Sequence, residues 1–230
     1  MIDTTGWQYF YKIYDSYPQP TNLLYTPLIS PDGSMICMWW DEKSPYQYEN
    51  DRLTAELVNF FFEREIRYLT TFQQFPWAPK LLDIDLAERK ILIEFNKETL
   101  NHIIFTPGRS LDQECPDWKE QIFLILKDIV DSGYYKMALY PHCFFIDKNG
   151  KIKTFDFYSS LEQKERYLER KKIEGMIGGD SDGRFTEATT DGIIDFEIFF
   201  KKTVSVHLKH AWPDNPFPEY YKKLFPNEEH

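Results

Sequence analysis

The chain has 230 residues and a formal net charge of −10 at pH 7, which disfavours a broad duplex-DNA surface because phosphate binding needs clustered Lys and Arg. Aromatic side chains make up 17% of the sequence, and that much aromatic surface needs a packed interior, so intrinsic disorder is disfavoured. No apolar run reaches membrane-spanning length and the first residues lack the charged-then-apolar pattern of a secretory signal, so we expect no membrane association.

The number and placement of the cysteines indicate the redox compartment. Cys37, Cys115 and Cys143 are scattered along the chain and odd in number. This pattern predicts reduced thiols in a cytoplasmic setting and not a disulfide framework. The hydrophobic core must therefore be large enough to hold the fold without crosslinks, either in one domain or in two small lobes.

The first half of the chain predicts strands interrupted by one helix. Pro31-Asp32-Gly33 is a turn signal between two β-prone segments, so a hairpin is expected there. Apolar residues at three-to-four spacing predict the helix, which Pro76 and Pro79 end. The predicted strands are residues 23–29, 35–40, 80–85 and 90–95, and the predicted helix is residues 51–72.

The second half predicts mainly helices with one small hairpin. One apolar face predicts an amphipathic helix over residues 117–132, and Gly133 would stop it. Asn149-Gly150 suits the turn of a short hairpin. The hairpin strands would be residues 143–147 and 151–155, residues 97–104 a short helix or turn, 107–116 and 134–142 loops, and 160–177 and 193–212 mostly helical or irregular.

Residues 133–158 read GYYKMALYPHCFFIDKNGKIKTFDFY, and their layout resembles that of a catalytic loop followed by a metal-binding loop. The stretch resembles the protein-kinase pattern of a helix end, G-x-x-H-R-D-x-x-x-x-N, a short strand, a turn and D-F-G. Gly133 stands at the helix end, and Asp156-Phe157-Tyr158 stands in place of D-F-G. The order of strands, helix, strands and later helices also resembles the protein-kinase-like superfamily over about residues 23–160.

The resemblance implies an α+β, two-lobed protein-kinase-like fold. Residues 1–95 would form a small β-rich N-lobe with one helix, and residues 96–230 a mainly helical C-lobe with a short hairpin. Asp156 would be the metal-binding aspartate, and the alternative for Asp156 is a carboxylate that caps the next turn.

The chemistry of the family is not retained in the catalytic loop. Lys136, Met137 and Ala138 stand where H-R-D would be, and alanine cannot accept the proton of a substrate hydroxyl. Cys143 stands in place of the metal-binding Asn and is a soft ligand that Mg²⁺ disfavours. The loop therefore predicts no catalytic residue and a degenerate, pseudokinase-like member of the superfamily.

The phosphate-binding loop and the strand lysine, which the resemblance implies nearer the N-terminus, are also not retained. Residues 27–33 contain one glycine where a Gly-rich phosphate loop would lie, and residues 35–40 contain no lysine. The remaining candidates for cofactor binding are Lys43 as a substitute lysine, Glu65 as the helix glutamate that would pair with it, and Glu94 in the strand that would enter the hinge. The alternative for Glu65 is a glutamate on the helix surface.

His142 and Cys143 are adjacent and offer a nitrogen and a sulfur ligand. Neighbouring residues on an extended segment point to opposite faces, so we expect a core cysteine and a loop histidine and no metal site. His207 and His210 have helical i, i+3 spacing without a third ligand in view, which favours packing or a solvated face.

Three functional hypotheses follow. The preferred one is a pseudokinase that binds a protein partner as a regulatory module and needs no cofactor. The alternative is an atypical phosphotransferase or nucleotidyltransferase that uses ATP and Mg²⁺ through Asp156, with Glu65 or Asp147 recruited. The third is a structural or interaction protein of a virus or phage that borrowed the fold, since fold alone does not determine function.

Overall fold

The computed structural model describes residues 1–10, 25–41, 55–136, 141–158 and 160–162. Predictions made for Lys43, Met137, Ala138 and residues 163–230 lie outside the described residues. The chain forms two compact units, of which one contains Met1–Cys115 and His142–Tyr158 and the other contains Pro116–Pro141 and Ser159–His230. The predicted boundary between residues 95 and 96 stays a prediction.

The first unit contains a five-stranded antiparallel sheet with the strand order β1-β2-β3-β5-β4. The predicted hairpin is confirmed, and Gly33 in its turn has φ +73°, a region that glycine adopts without steric cost. The second predicted strand pair is confirmed as well. The strands are β1 (Gln8–Tyr9), β2 (Thr26–Ile29), β3 (Met35–Trp39), β4 (Leu81–Asp85) and β5 (Lys90–Glu94).

Between β3 and β4 lies the predicted helix, α1 (Ala55–Phe72). Its apolar residues recur at three-to-four spacing and are buried, as Phe61, Phe62, Leu69 and Phe72 are. The side chain of Gln73 follows the last turn and donates hydrogen bonds to the carbonyls of Leu69 and Pro79, so a carbonyl that the helix end leaves open is satisfied.

Two short helices and a hairpin complete the first unit. The helices are α2 (Leu100–Phe105) and α3 (Leu111–Glu114). The prediction of a loop over residues 107–116 is therefore wrong for Leu111–Glu114. The Ser110 hydroxyl accepts a hydrogen bond from the Gln113 N–H and caps a single helical turn there. The predicted hairpin is confirmed as β7 (Phe144–Ile146) and β8 (Ile152–Thr154).

The second unit contains the predicted amphipathic helix, α4 (Trp118–Asp131). Gly133, at φ +87°, ends it by donating its N–H to the Val130 carbonyl. Strand β6 (Tyr134–Tyr135) then pairs antiparallel with β9 (Leu161–Glu162). Residues 134–135 were predicted as loop and 161–162 as helical or irregular, and both predictions are wrong because the two pieces pair across a long sequence separation that local patterns do not encode.

None of the helices in the described part of the chain is long and apolar enough to cross a membrane.

Candidate functional site

The small hairpin of the first unit brings Cys143 and Asp156 together. Strands β7 and β8 are antiparallel and Phe144 lies opposite Thr154, so the residue before β7 and the residues after β8 lie at the same end. The thiol of Cys143 donates a hydrogen bond to Oδ2 of Asp156 over 3.3 Å. Both side chains are buried, with Cys143 0% and Asp156 2% exposed.

His142 joins the same pair. Residues Pro141–Cys143 form a single 3-10 turn and not an extended segment, so the alternation of a strand does not apply to His142 and Cys143. One donor atom each from His142, Cys143 and Asp156 lies within 4.8 Å of the other two. The expectation that histidine and cysteine would point apart is therefore wrong.

Glu65 of helix α1 is 0% exposed, so its interpretation as a surface glutamate is wrong. Its carboxylate accepts two backbone hydrogen bonds, from the N–H of Asp156 at 3.2 Å and from the N–H of Phe157 at 2.5 Å. A charge-assisted pair of this kind is stronger than bonds between neutral groups. The helix thus holds the segment that follows β8, and the pairing of Glu65 with Lys43 stays a prediction.

The backbone of Asp156 has φ 72°, in the left-handed region. Aspartate enters this region more readily than most residues that carry a Cβ. The Asp156 carboxylate accepts a hydrogen bond from the Cys143 thiol, while the Asp156 N–H donates a hydrogen bond to Glu65. This conformation lets the side chain and the N–H of one residue meet two different elements.

The two residues after Asp156 are anchored by aromatic packing. Phe157 is 0% exposed, and its ring lies 5.1 Å from that of Phe72 and 6.4 Å from that of Trp77. The ring of Tyr158 packs edge-on against Trp40 at 5.3 Å. Rings from helix α1, from the residue that follows strand β3 and from the loop after α1 therefore pack against Phe157 and Tyr158.

The Tyr158 carbonyl ties this segment to α1 a second time. It accepts a hydrogen bond from Nε of Arg64, which is 4% exposed. Arg64 and Glu65 are thus consecutive residues of one helix that both bind the backbone of the Asp-Phe-Tyr segment. Helix α1 also carries the exposed charged residues Glu56, Glu63 and Arg67, so no local pattern distinguishes the buried pair from them. Their burial follows from the backbone partners, since buried charges require partners.

The sheet provides a lysine at a position that sequence patterns did not single out. Lys90 of β5 is 9% exposed, donates to the Ile2 carbonyl at 3.3 Å and lies over the ring of Trp39. Trp39 and Cys37 share one face of β3, whereas Trp40 belongs to the alternate face that meets Tyr158. Lys90 therefore lies on the face covered by the N-terminal residues and not on the face that meets Tyr158.

Glu94 and Lys136, which the sequence analysis also singled out, lie among the described residues. Glu94 forms an ion pair with Nζ of Lys153 at 2.6 Å, which joins β5 to the hairpin strand β8. Lys136 is 0% exposed within the second unit. A role for Glu94 in cofactor binding stays a prediction.

Comparison with known proteins finds a similarity among solved structures but none among family models or curated proteins. No family model matches the chain, and no curated protein matches it. Among solved structures, a co-crystal structure of WbdD with a kinase inhibitor is similar at 15% identity and a TM-score of 0.45. The overlap covers 79% of this chain and 44% of that one, so the chain spans less than half of the WbdD chain.

Proposed function

We propose that the chain is a kinase-like protein that does not transfer phosphate in the usual way and instead acts as a binding or regulatory module. The observation that carries the proposal is the state of the two acidic residues. Glu65 accepts two backbone N–H groups, and Asp156 is 2% exposed and bonded to a thiol. Both carboxylates are thus engaged inside the protein.

The kinase-like part of the proposal is supported by the order of elements. A helix lies between the third and fourth strands of an antiparallel sheet, and a short hairpin precedes Asp156-Phe157-Tyr158. This is the order that the sequence pattern implies. The proposed loss of kinase chemistry is supported by Cys143, whose sulfur lies 3.3 Å from the Asp156 carboxylate and is a soft ligand that a hard metal disfavours.

Nucleotide binding separates the proposal from the phosphotransferase alternative. A ligand present at about 100 times its Kd stabilises the native state by about 2.7 kcal/mol, which is roughly 5–10 °C in Tm for a chain of this size. We expect millimolar ATP with Mg²⁺ to leave Tm unchanged. We also expect no transfer of labelled phosphate from ATP to the chain or to a generic protein substrate.

The Asp156→Asn variant distinguishes the possible results. A rise in Tm with ATP and Mg²⁺ that disappears in this variant would overturn the proposal in favour of the enzyme.

For the binding function, wild type and Asp156→Asn serve as paired baits for partners from the native host, followed by binding measurements with purified partner. Equal Kd values for both baits support a module whose binding does not require phosphoryl transfer.

A further inference from the structure

We propose that His142, Cys143 and Asp156 form a binding site for a divalent transition metal, with Zn²⁺ as the ion that the ligand set suits best. The three residues offer one imidazole nitrogen, one sulfur and one carboxylate oxygen, all within 4.8 Å of one another. Zinc is bound in proteins by these three ligand types, whereas Mg²⁺ requires oxygen ligands. The site would thus differ in metal class from the magnesium site that the kinase resemblance implies.

The spacing of the three ligands is close to what a tetrahedral ion requires. Zinc–ligand bonds of about 2.0–2.3 Å place the ligand atoms roughly 3.3–3.8 Å from one another. The sulfur of Cys143 and Oδ2 of Asp156 are already 3.3 Å apart. The remaining adjustment falls on His142, whose side chain is half-buried while the other two are buried. The set therefore needs the His142 nitrogen to move closer to the other two ligand atoms.

The backbone of both buried ligands is held by hydrogen bonds. The carbonyl of Cys143 accepts the Phe155 N–H and the Thr154 hydroxyl, each at 3.0 Å. The N–H of Asp156 donates to Glu65. Metal sites depend on such outer contacts, because they fix the orientation of the ligands before the ion arrives.

The charges balance when the ion is bound. The thiol proton now lies between the Cys143 sulfur and the Asp156 carboxylate, and the incoming ion displaces it to solvent. One thiolate, one carboxylate, one neutral imidazole and a divalent cation sum to zero charge, which suits a buried position. Three protein ligands leave the fourth position for water or an outside ligand, as in zinc sites that remain open.

Cobalt titration of the intact chain tests the site, because Co²⁺ substitutes for Zn²⁺ and reports its ligands by colour. We expect one equivalent of Co²⁺ to produce a thiolate-to-metal charge-transfer band and intense tetrahedral d–d bands, both abolished by one equivalent of Zn²⁺. Cys143→Ser should remove the charge-transfer band. His142→Gln and Asp156→Asn should each weaken Zn²⁺ binding by more than about 100-fold, the upper end of the cost of losing an outer contact.

Matched variants control for other cysteines and histidines. Cys37→Ser replaces another buried thiol, and His102→Gln another half-buried histidine, which contacts Glu98 at 3.0 Å. Both should retain the spectrum and the affinity. The double variant His207→Gln/His210→Gln tests the two histidines with helical i, i+3 spacing and should also retain the spectrum and the affinity.

Three outcomes overturn the proposal. They are a charge-transfer band that survives Cys143→Ser, Zn²⁺ binding that is lost only in the His207/His210 variant, and the absence of any cobalt spectrum. Circular dichroism shows whether Cys143→Ser is folded, and His142→Gln, at a half-buried position, gives an independent reading. Since no nucleotide is added, failure here leaves the proposed binding function untouched.

Discussion

Replacing Glu65 with alanine removes the acceptor of two buried backbone N–H groups, those of Asp156 and Phe157. A hydrogen bond to a charged group contributes about 1.5–3 kcal/mol, and a buried donor left unpaired costs about 1–3 kcal/mol. For two bonds that share one carboxylate, we expect Glu65→Ala to lower the free energy of unfolding by roughly 3–5 kcal/mol, because two buried donors lose their acceptor at about 1–3 kcal/mol each.

Glu65→Gln separates the loss of charge from the loss of both acceptors. The two N–H groups bond different oxygens of the carboxylate, and glutamine keeps only one of these oxygens, so its NH₂ group faces the other donor. We therefore expect an intermediate loss of about 1.5–3 kcal/mol in the free energy of unfolding. The ordering of the two variants follows from the number of acceptors that remain.

Urea unfolding, followed by circular dichroism, measures both variants. Glu63 lies two residues earlier on the same helix and is exposed, so Glu63→Ala and Glu63→Gln are matched controls that should stay within about 0.5 kcal/mol of wild type. The slope of the free energy against urea should not change if the native and denatured states keep their compactness. Glu65→Ala within about 0.5 kcal/mol of Glu63→Ala would refute the reasoning.

Three further predictions concern other positions. Phe157→Ala opens a cavity between two aromatic rings and should cost about 3–5 kcal/mol of stability in urea unfolding, and a loss below about 1 kcal/mol would contradict the described packing. The hydroxyl of Ser30, with other hydrogen bonds, lowers the pKa of Asp32 from 3.8 to about 2. The ionised Asp32 carboxylate therefore stabilises the fold above pH 3.8, and this stabilisation is lost as the pH falls toward 2. Asp32→Asn should flatten this acid dependence in thermal melts, and identical pH profiles would count against it. Burial raises the pKa of Cys37 to about 12, so below its ordinary value of 9.0 the native thiol should resist iodoacetamide until urea exposes it, as peptide mass spectrometry can follow; native labelling at the denatured rate would argue against this burial.

The candidate site could be predicted from the sequence only in part. The kinase resemblance assigned Cys143 and Asp156 to the two metal-ligand positions, and in the structure the thiol of Cys143 lies 3.3 Å from the Asp156 carboxylate. The third member, His142, was missed because its direction depends on a 3-10 turn at Pro141–Cys143. A proline before two residues of interest was the signal, but it is compatible with several turn geometries.

Periodicity within the sequence was sufficient for the elements whose contacts are local. Helices α1 and α4 and the hairpin of β7 and β8 follow from apolar spacing and turn residues, since such patterns act over a few residues. The pairing of β6 with β9, the burial of Glu65 and the meeting of His142 with Asp156 were decided only by the tertiary structure. Each of these three features joins residues far apart in the chain or depends on the geometry of one turn. Over such separations the packing of the whole fold, and not the local sequence, determines which groups meet.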